Sequence, residues 1–215
     1  MNIQFGIYDV FSRIVPGGLY LFAIMQFSSV LGLIKIDWEI LKDVGVIPSL
    51  GLLLIAYILG TGMDRLGSRW FYMFKKPGMS DRILEEFKAK HADRWVFEFE
   101  DKDWTMLRAY IRVHNRDVAG DIDRDNAICI MLRNISLGLV LIAFNVGIHF
   151  AKTVNWADLI LIVLLFVLSY LVAIQARFLR KWFYEGVFET IMAYRLDLEE
   201  RVKPVKTSVK GKNTK

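Results

Sequence analysis

Four stretches of the chain carry no charged residue. Ile14–Ile34 runs for 21 residues between Arg13 and Lys35, and Val44–Met63 for 20 between Asp43 and Asp64. Asn134–Ala151 runs for 18 between Arg133 and Lys152, and Leu159–Ala176 for 18 between Asp158 and Arg177. A helix needs about 20 apolar residues to cross a hydrocarbon core about 30 Å thick. In lipid the backbone must satisfy its own hydrogen bonds, so each run reads as a helix rather than a strand. The pattern predicts an all-α, polytopic membrane protein with four transmembrane helices in two hairpins and a small helical insert between them. Burial in a large soluble core is the competing reading, but 215 residues cannot surround four such helices.

The polar segments divide the rest of the chain into 1–64, 65–133, 134–176, 177–202 and 203–215. Ile3, Ile7, Val10 and Phe11 share one helical face, which predicts a short amphipathic helix over 1–12 lying at the membrane interface. Pro16 then suits the first turn of the first span. Residues 1–12 hold no base and no small-residue cleavage pattern follows the first span, which argues against a cleavable signal peptide. In 65–133, Lys76-Pro77-Gly78 breaks the chain and Ser80 is a suitable N-cap for a helix over 81–92. Trp95–Phe99 briefly alternates apolar and charged residues. Trp104–Val118 is helix-compatible, Gly120 marks an interruption, and Asn126–Leu132 runs into the third span. This module is too small for a deep core of its own. It must lean on a neighbouring copy, on extended ends of the spans or on another protein. Residues 177–202 continue the fourth helix with an apolar stripe of Phe183, Val187, Ile191 and Leu198. Residues 203–215 read as a disordered, Lys-rich tail attracted to anionic lipid or an acidic partner.

Charge then orients the spans. Of 28 Lys and Arg residues, 14 lie in 65–133 and 10 in 177–215, whereas the short loops 35–43 and 152–158 hold three. The positive-inside rule predicts both termini and the middle module in the cytoplasm. Topology accounts for the net charge of +5, so no direct nucleic-acid contact is expected. A single cysteine, Cys129, and four prolines exclude a disulfide scaffold and a collagen-like chain.

The second and fourth spans end alike: Arg65, Arg69 and Trp70-Phe71-Tyr72 after the one, Arg177, Lys181 and Trp182-Phe183-Tyr184 after the other. Arg13 precedes Gly18 by five residues, as Arg133 precedes Gly138. These parallels suggest an internal duplication, or convergence on the aromatic and basic residues that favour a membrane boundary. Either way Arg65, Arg69, Trp70, Arg177, Lys181 and Trp182 are expected to be membrane anchors. Trp95, Phe97, Phe99 and Trp104, aromatics among charges, are expected to contact a soluble partner.

Catalytic chemistry finds little support. His91, His114 and His149 lack zinc-ligand spacing. Asp121, Asp123, Asp125 and Asn126 open like an EF-hand loop, but Asn126 stands where glycine is required and Leu132 where a bidentate Glu is required. Nucleotide-binding and nucleophile-elbow motifs are missing. Asp64 alone gives thin support to a lipid-transferase site. No ionisable group other than His149 sits within a span, which argues against a proton-coupled carrier. The chain is read as a non-enzyme with no metal, cofactor or small-molecule substrate.

Ser12-Arg13-Ile14-Val15-Pro16-Gly17-Gly18 after an amphipathic start, and Arg133-Asn134 heading the third span after a helical insert, resemble small bacterial membrane proteins of anti-phage defence clusters. Among these the layout is similar to the four-span membrane subunits of Kiwa defence systems, which work with a cytosolic DNA-binding partner. The motifs are short and carry no functional residue across. The resemblance implies an inner-membrane homo-oligomer, for example a tetramer, that senses envelope disturbance and signals to a cytosolic protein. An oligomeric pore that permeabilises the membrane is the alternative.

Overall fold

A computed structural model describes residues 3–34, 45–74, 79–90 and 103–193. Among the described residues it contains six helices: α1 (Ile3–Val30), α2 (Val46–Phe74), α3 (Met79–Lys90), α4 (Trp104–His114), α5 (Arg116–Thr153) and α6 (Trp156–Ala193). No strand occurs among the described residues. Four of the helices, α1, α2, α5 and α6, are long and apolar enough to cross a membrane. The fold is the expected all-α membrane bundle of two hairpins with a helical insert.

Three local expectations differ. Residues 3–30 form one continuous helix, and Pro16 is buried in its interior rather than in its first turn. The missing proline N–H is tolerated in a membrane helix because neighbouring groups can re-satisfy the freed carbonyl. The break in the insert falls at Asn115, not at Gly120. Asn115 turns extended (φ −144°), and its side chain accepts from the backbone N–H groups of Asp117 and Val118 at 3.1 and 3.2 Å. That cap satisfies two orphan donors and starts α5 at Arg116, so Gly120 lies inside an unbroken helix.

Helix α5 ends at Thr153, followed by Val154 in the left-handed region (φ 51°). Asn155 then accepts from Ala157 N–H at 3.1 Å and α6 begins. This two-residue turn makes α5 and α6 an antiparallel pair, each 38 residues long. Helix α1 crosses α2 at near-backbone contact. A Cβ on Gly17 would lie 1.7 Å from the Ala56 carbonyl oxygen, and one on Gly60 1.9 Å from that of Arg13. Only glycine permits that approach.

Two apolar cores result. Within the spans, Ala23, Leu139, Ile142, Ala143, Val146 and Leu165 pack together. Beyond the spans, α3 and α4 fold onto the N-terminal part of α5 and the C-terminal part of α6. This head buries Ile83, Leu84 and Phe87 with Leu107, Ile111, Ile122, Phe183, Val187, Phe188 and Ile191. The insert thus leans on the extended ends of the spans, one of the three supports anticipated for it. Between the cores a narrow waist holds Phe71, Cys129, Ala176 and Leu179.

Candidate functional site

Buried polar groups concentrate at the waist, where all four spans meet. Asp64, near the head end of α2, accepts from Arg133 Nη2 at 2.6 Å and from Asn134 Nδ2 at 3.0 Å. Asn134 is fully buried, and its backbone carbonyl accepts the Tyr20 hydroxyl of α1 at 2.8 Å. Two residues along α5, the Ser136 hydroxyl donates to the Ser169 carbonyl at 2.9 Å, while the Ser169 hydroxyl donates to the Ser136 carbonyl at 2.8 Å. The Trp70 indole N–H completes the set on Ser136 Oγ at 3.0 Å. Arg133 Nε and Asn134 Oδ1 are buried with no hydrogen-bond partner among the described residues; the other polar groups satisfy one another, and such exchange specifies a single register of their helices. Here they tie α1, α2, α5 and α6 together at one level.

Above the waist the head is pinned by charge. Arg180 on α6 donates to Asn126 Oδ1 of α5 at 2.6 Å and to the Tyr184 hydroxyl at 3.1 Å. Its guanidinium lies 4.9 Å from the Tyr184 ring centre and 5.8 Å from that of Trp104. Asp123, buried on α5, takes Arg108 and Arg112 from α4, the second at 2.8 Å. Breaking such a pair strands a buried charge, which is why it fixes α4 in place. Lys181 reaches Glu86 of α3 at 3.4 Å and Glu185 at 3.5 Å. The Glu185 and Glu86 carboxylates hold its ammonium above the usual lysine range. Burial lifts the Asp125 carboxyl above its usual range against the opposing pull of Arg124.

The expected anchor residues separate. Arg65 and Arg69 are exposed, Arg177 is half-buried, and Trp182 is 54% exposed. Trp70 departs from the expectation: its indole N–H is turned inward onto Ser136 instead of toward headgroups. Trp104 is half-buried. Its ring packs edge-on against Phe183 at 5.6 Å and Tyr184 at 5.9 Å, at the rim of the head core. Trp95, Phe97 and Phe99 lie outside the described residues.

Sequence reasoning missed the Ser136–Ser169 exchange and the Arg108–Arg112–Asp123 cluster, because both join two different helices whose register the sequence pattern does not give. Asp64 and Arg133 carried a readable signal: opposite charges closing two spans at the same face. Asp64, the one acidic residue at the head end of a span, is engaged by Arg133 and Asn134. Asp123 is engaged by Arg108 and Arg112. No metal-binding cluster of His, Cys, Asp and Glu exists among the described residues. Cys129 is buried, as expected, and its thiol donates to the Ala176 carbonyl at 3.3 Å.

No family model, curated protein or solved structure matches the chain. The waist joins four membrane helices to a head built on two of them.

Proposed function

We propose that the chain is a membrane-embedded coupling subunit, a sensor or scaffold that relays bilayer disturbance to a soluble protein docked on its head. The observation that carries this reading is the continuity of α5 and α6. Each has 38 residues, or about 57 Å at 1.5 Å per residue, against about 30 Å of hydrocarbon. The excess length forms the scaffold of the head. A tilt of the spans therefore moves α3 and α4 directly, with no linker to absorb it. Arg65 and Arg69, exposed on α2, and Trp182 on α6 are suited to hold the helix ends at anionic headgroups, each base contributing about 1 kcal/mol.

The basic segments support a head on the cytoplasmic face of a bacterial inner membrane, and the layout likeness to Kiwa membrane subunits supports anti-phage defence as the setting. A cyclic homo-oligomer and a cytosolic protein partner belong to the same reading, and no catalytic step does. Coupling is favoured over an oligomeric pore because the outward face of α6, with Ile160, Val163, Leu164, Val167 and Leu171, is apolar. A channel lined by it would be dry.

Orientation is tested by single cysteines in a Cys129→Ala background. Cysteine at Asn155 should label from outside intact cells and cysteine at Lys88 should not; the reverse pattern overturns the orientation. Coupling is tested by replacing Arg65, Arg69, Arg177 and Lys181 with Gln. That variant should insert at parental levels but lose partner capture and protection against phage. Parental protection and capture would reduce these residues to topology signals.

A further inference from the structure

At the opposite end of the bundle, α1, α5 and α6 diverge around a cavity of about 330 Å³, within the usual range for small-molecule sites of about 300–1,000 Å³. Phe22, Val146 and Leu161 form apolar walls, and Gln26 and Asp158 supply polar atoms. Gln26 Oε1 is buried without a hydrogen-bond partner, a state that buried acceptors seldom keep. The Asp158 side chain is largely buried. Its Oδ2 takes His149 Nδ1 at 2.8 Å and the Thr153 hydroxyl at 3.4 Å, while Oδ1 makes no hydrogen bond among the described residues. Lys152, the base at this end of α5, gives its ammonium to the Val30 carbonyl at 2.6 Å. The cavity therefore places two acceptors without a partner among the described residues, one of them a carboxylate, beside apolar walls and the Ser29 and His149 side chains.

An anion is repelled by that set, and a quaternary ammonium brings no donor to it. A primary ammonium brings three N–H donors and no acceptor. We propose that this cavity binds a primary ammonium group, carried either by an ethanolamine phospholipid headgroup or by a free amine in solution. The ammonium donates to Gln26 Oε1 and Asp158 Oδ1, and its methylene groups lie on Phe22 and Leu161. The site does not depend on the coupling reading, since it lies at the far end of the bundle from the head.

The full chain is placed in nanodiscs holding equal ethanolamine, choline and glycerol phospholipids with identical acyl chains, and retained lipids are counted by native mass spectrometry. In a second arm, nanodiscs of choline lipid alone are titrated with ethanolamine and with putrescine by calorimetry. A lipid source gives ethanolamine lipid enriched over choline lipid. A free-amine source gives saturable binding only in the second arm. In either case Gln26→Leu should lower the affinity roughly tenfold, the loss expected for one hydrogen bond to a charged group. Because Gln26 Oε1 bonds nothing among the described residues, the variant should keep the parental thermal stability. Asp158→Asn is the second variant and should weaken binding in the same arm. No preference and no saturable binding in the parent, or a preference that survives both substitutions, overturns the proposal.

Discussion

The same short motif closes the second and the fourth span, and its two copies face in different directions. Phe71 and Phe183 are both buried. On a helix the residues before and after lie about 100° to either side. In α2 the buried sector extends to the Trp side: Trp70 bonds Ser136, while Tyr72 is 64% exposed. In α6 it extends to the Tyr side: Tyr184 is 3% exposed beneath Trp104, while Trp182 is 54% exposed. The cause is what each helix meets. At this level α2 packs on α5 and ends at Phe74, whereas α6 continues to Ala193 under α3 and α4. A boundary motif thus sets the depth of a helix end, and the tertiary partners set its rotation.

The two tyrosines offer the largest test of that difference. Tyr184→Ala should cost about 3–5 kcal/mol of head stability, and Tyr72→Ala less than about 0.5 kcal/mol. Thermal unfolding in detergent and hydrogen exchange across α4 read both. Equal losses would mean that the two copies are equivalent after all.

A smaller effect is expected at Gly67, whose counterpart in α6 is Leu179. A Cβ on Gly67 would meet Asn134 Oδ1 at 1.8 Å, so the waist closes on α2 only because that side chain is absent. Gly67→Ala should cost about 1–3 kcal/mol through overpacking and should speed exchange at Asn134 and Ser136. Parental stability would show that α2 can slide past α5, and that the waist is not a fixed joint.

The tryptophans sharpen the comparison at its finest scale. Trp70→Phe removes one hydrogen bond and should cost about 1 kcal/mol, while Trp182→Phe should leave stability within about 0.5 kcal/mol. In single-tryptophan variants, brominated lipid should quench Trp182 strongly and Trp70 weakly. Equal quenching would return Trp70 to the lipid-facing role that its motif suggests.

Much of this fold was legible because a membrane imposes a strict rule on sequence: spans must be long, uncharged and helical. The runs from Ile14, Val44, Asn134 and Leu159 therefore located all four helices, and the apolar stripe through Phe183, Val187 and Ile191 announced that α6 continues past its span. The same rule says little about what the helices touch, since a leucine facing lipid and one facing a neighbour look alike. Whether Trp104 is a contact residue or a core residue depended on α4 folding back over Phe183 and Tyr184. The pairing of Ser136 with Ser169, and of Asp123 with Arg108 and Arg112, depended on the register between helices, which is set by packing and polar exchange across the helix contacts. The sequence alone determined that this protein crosses a membrane four times; only the tertiary structure decided that two of those crossings also form the backbone of its head.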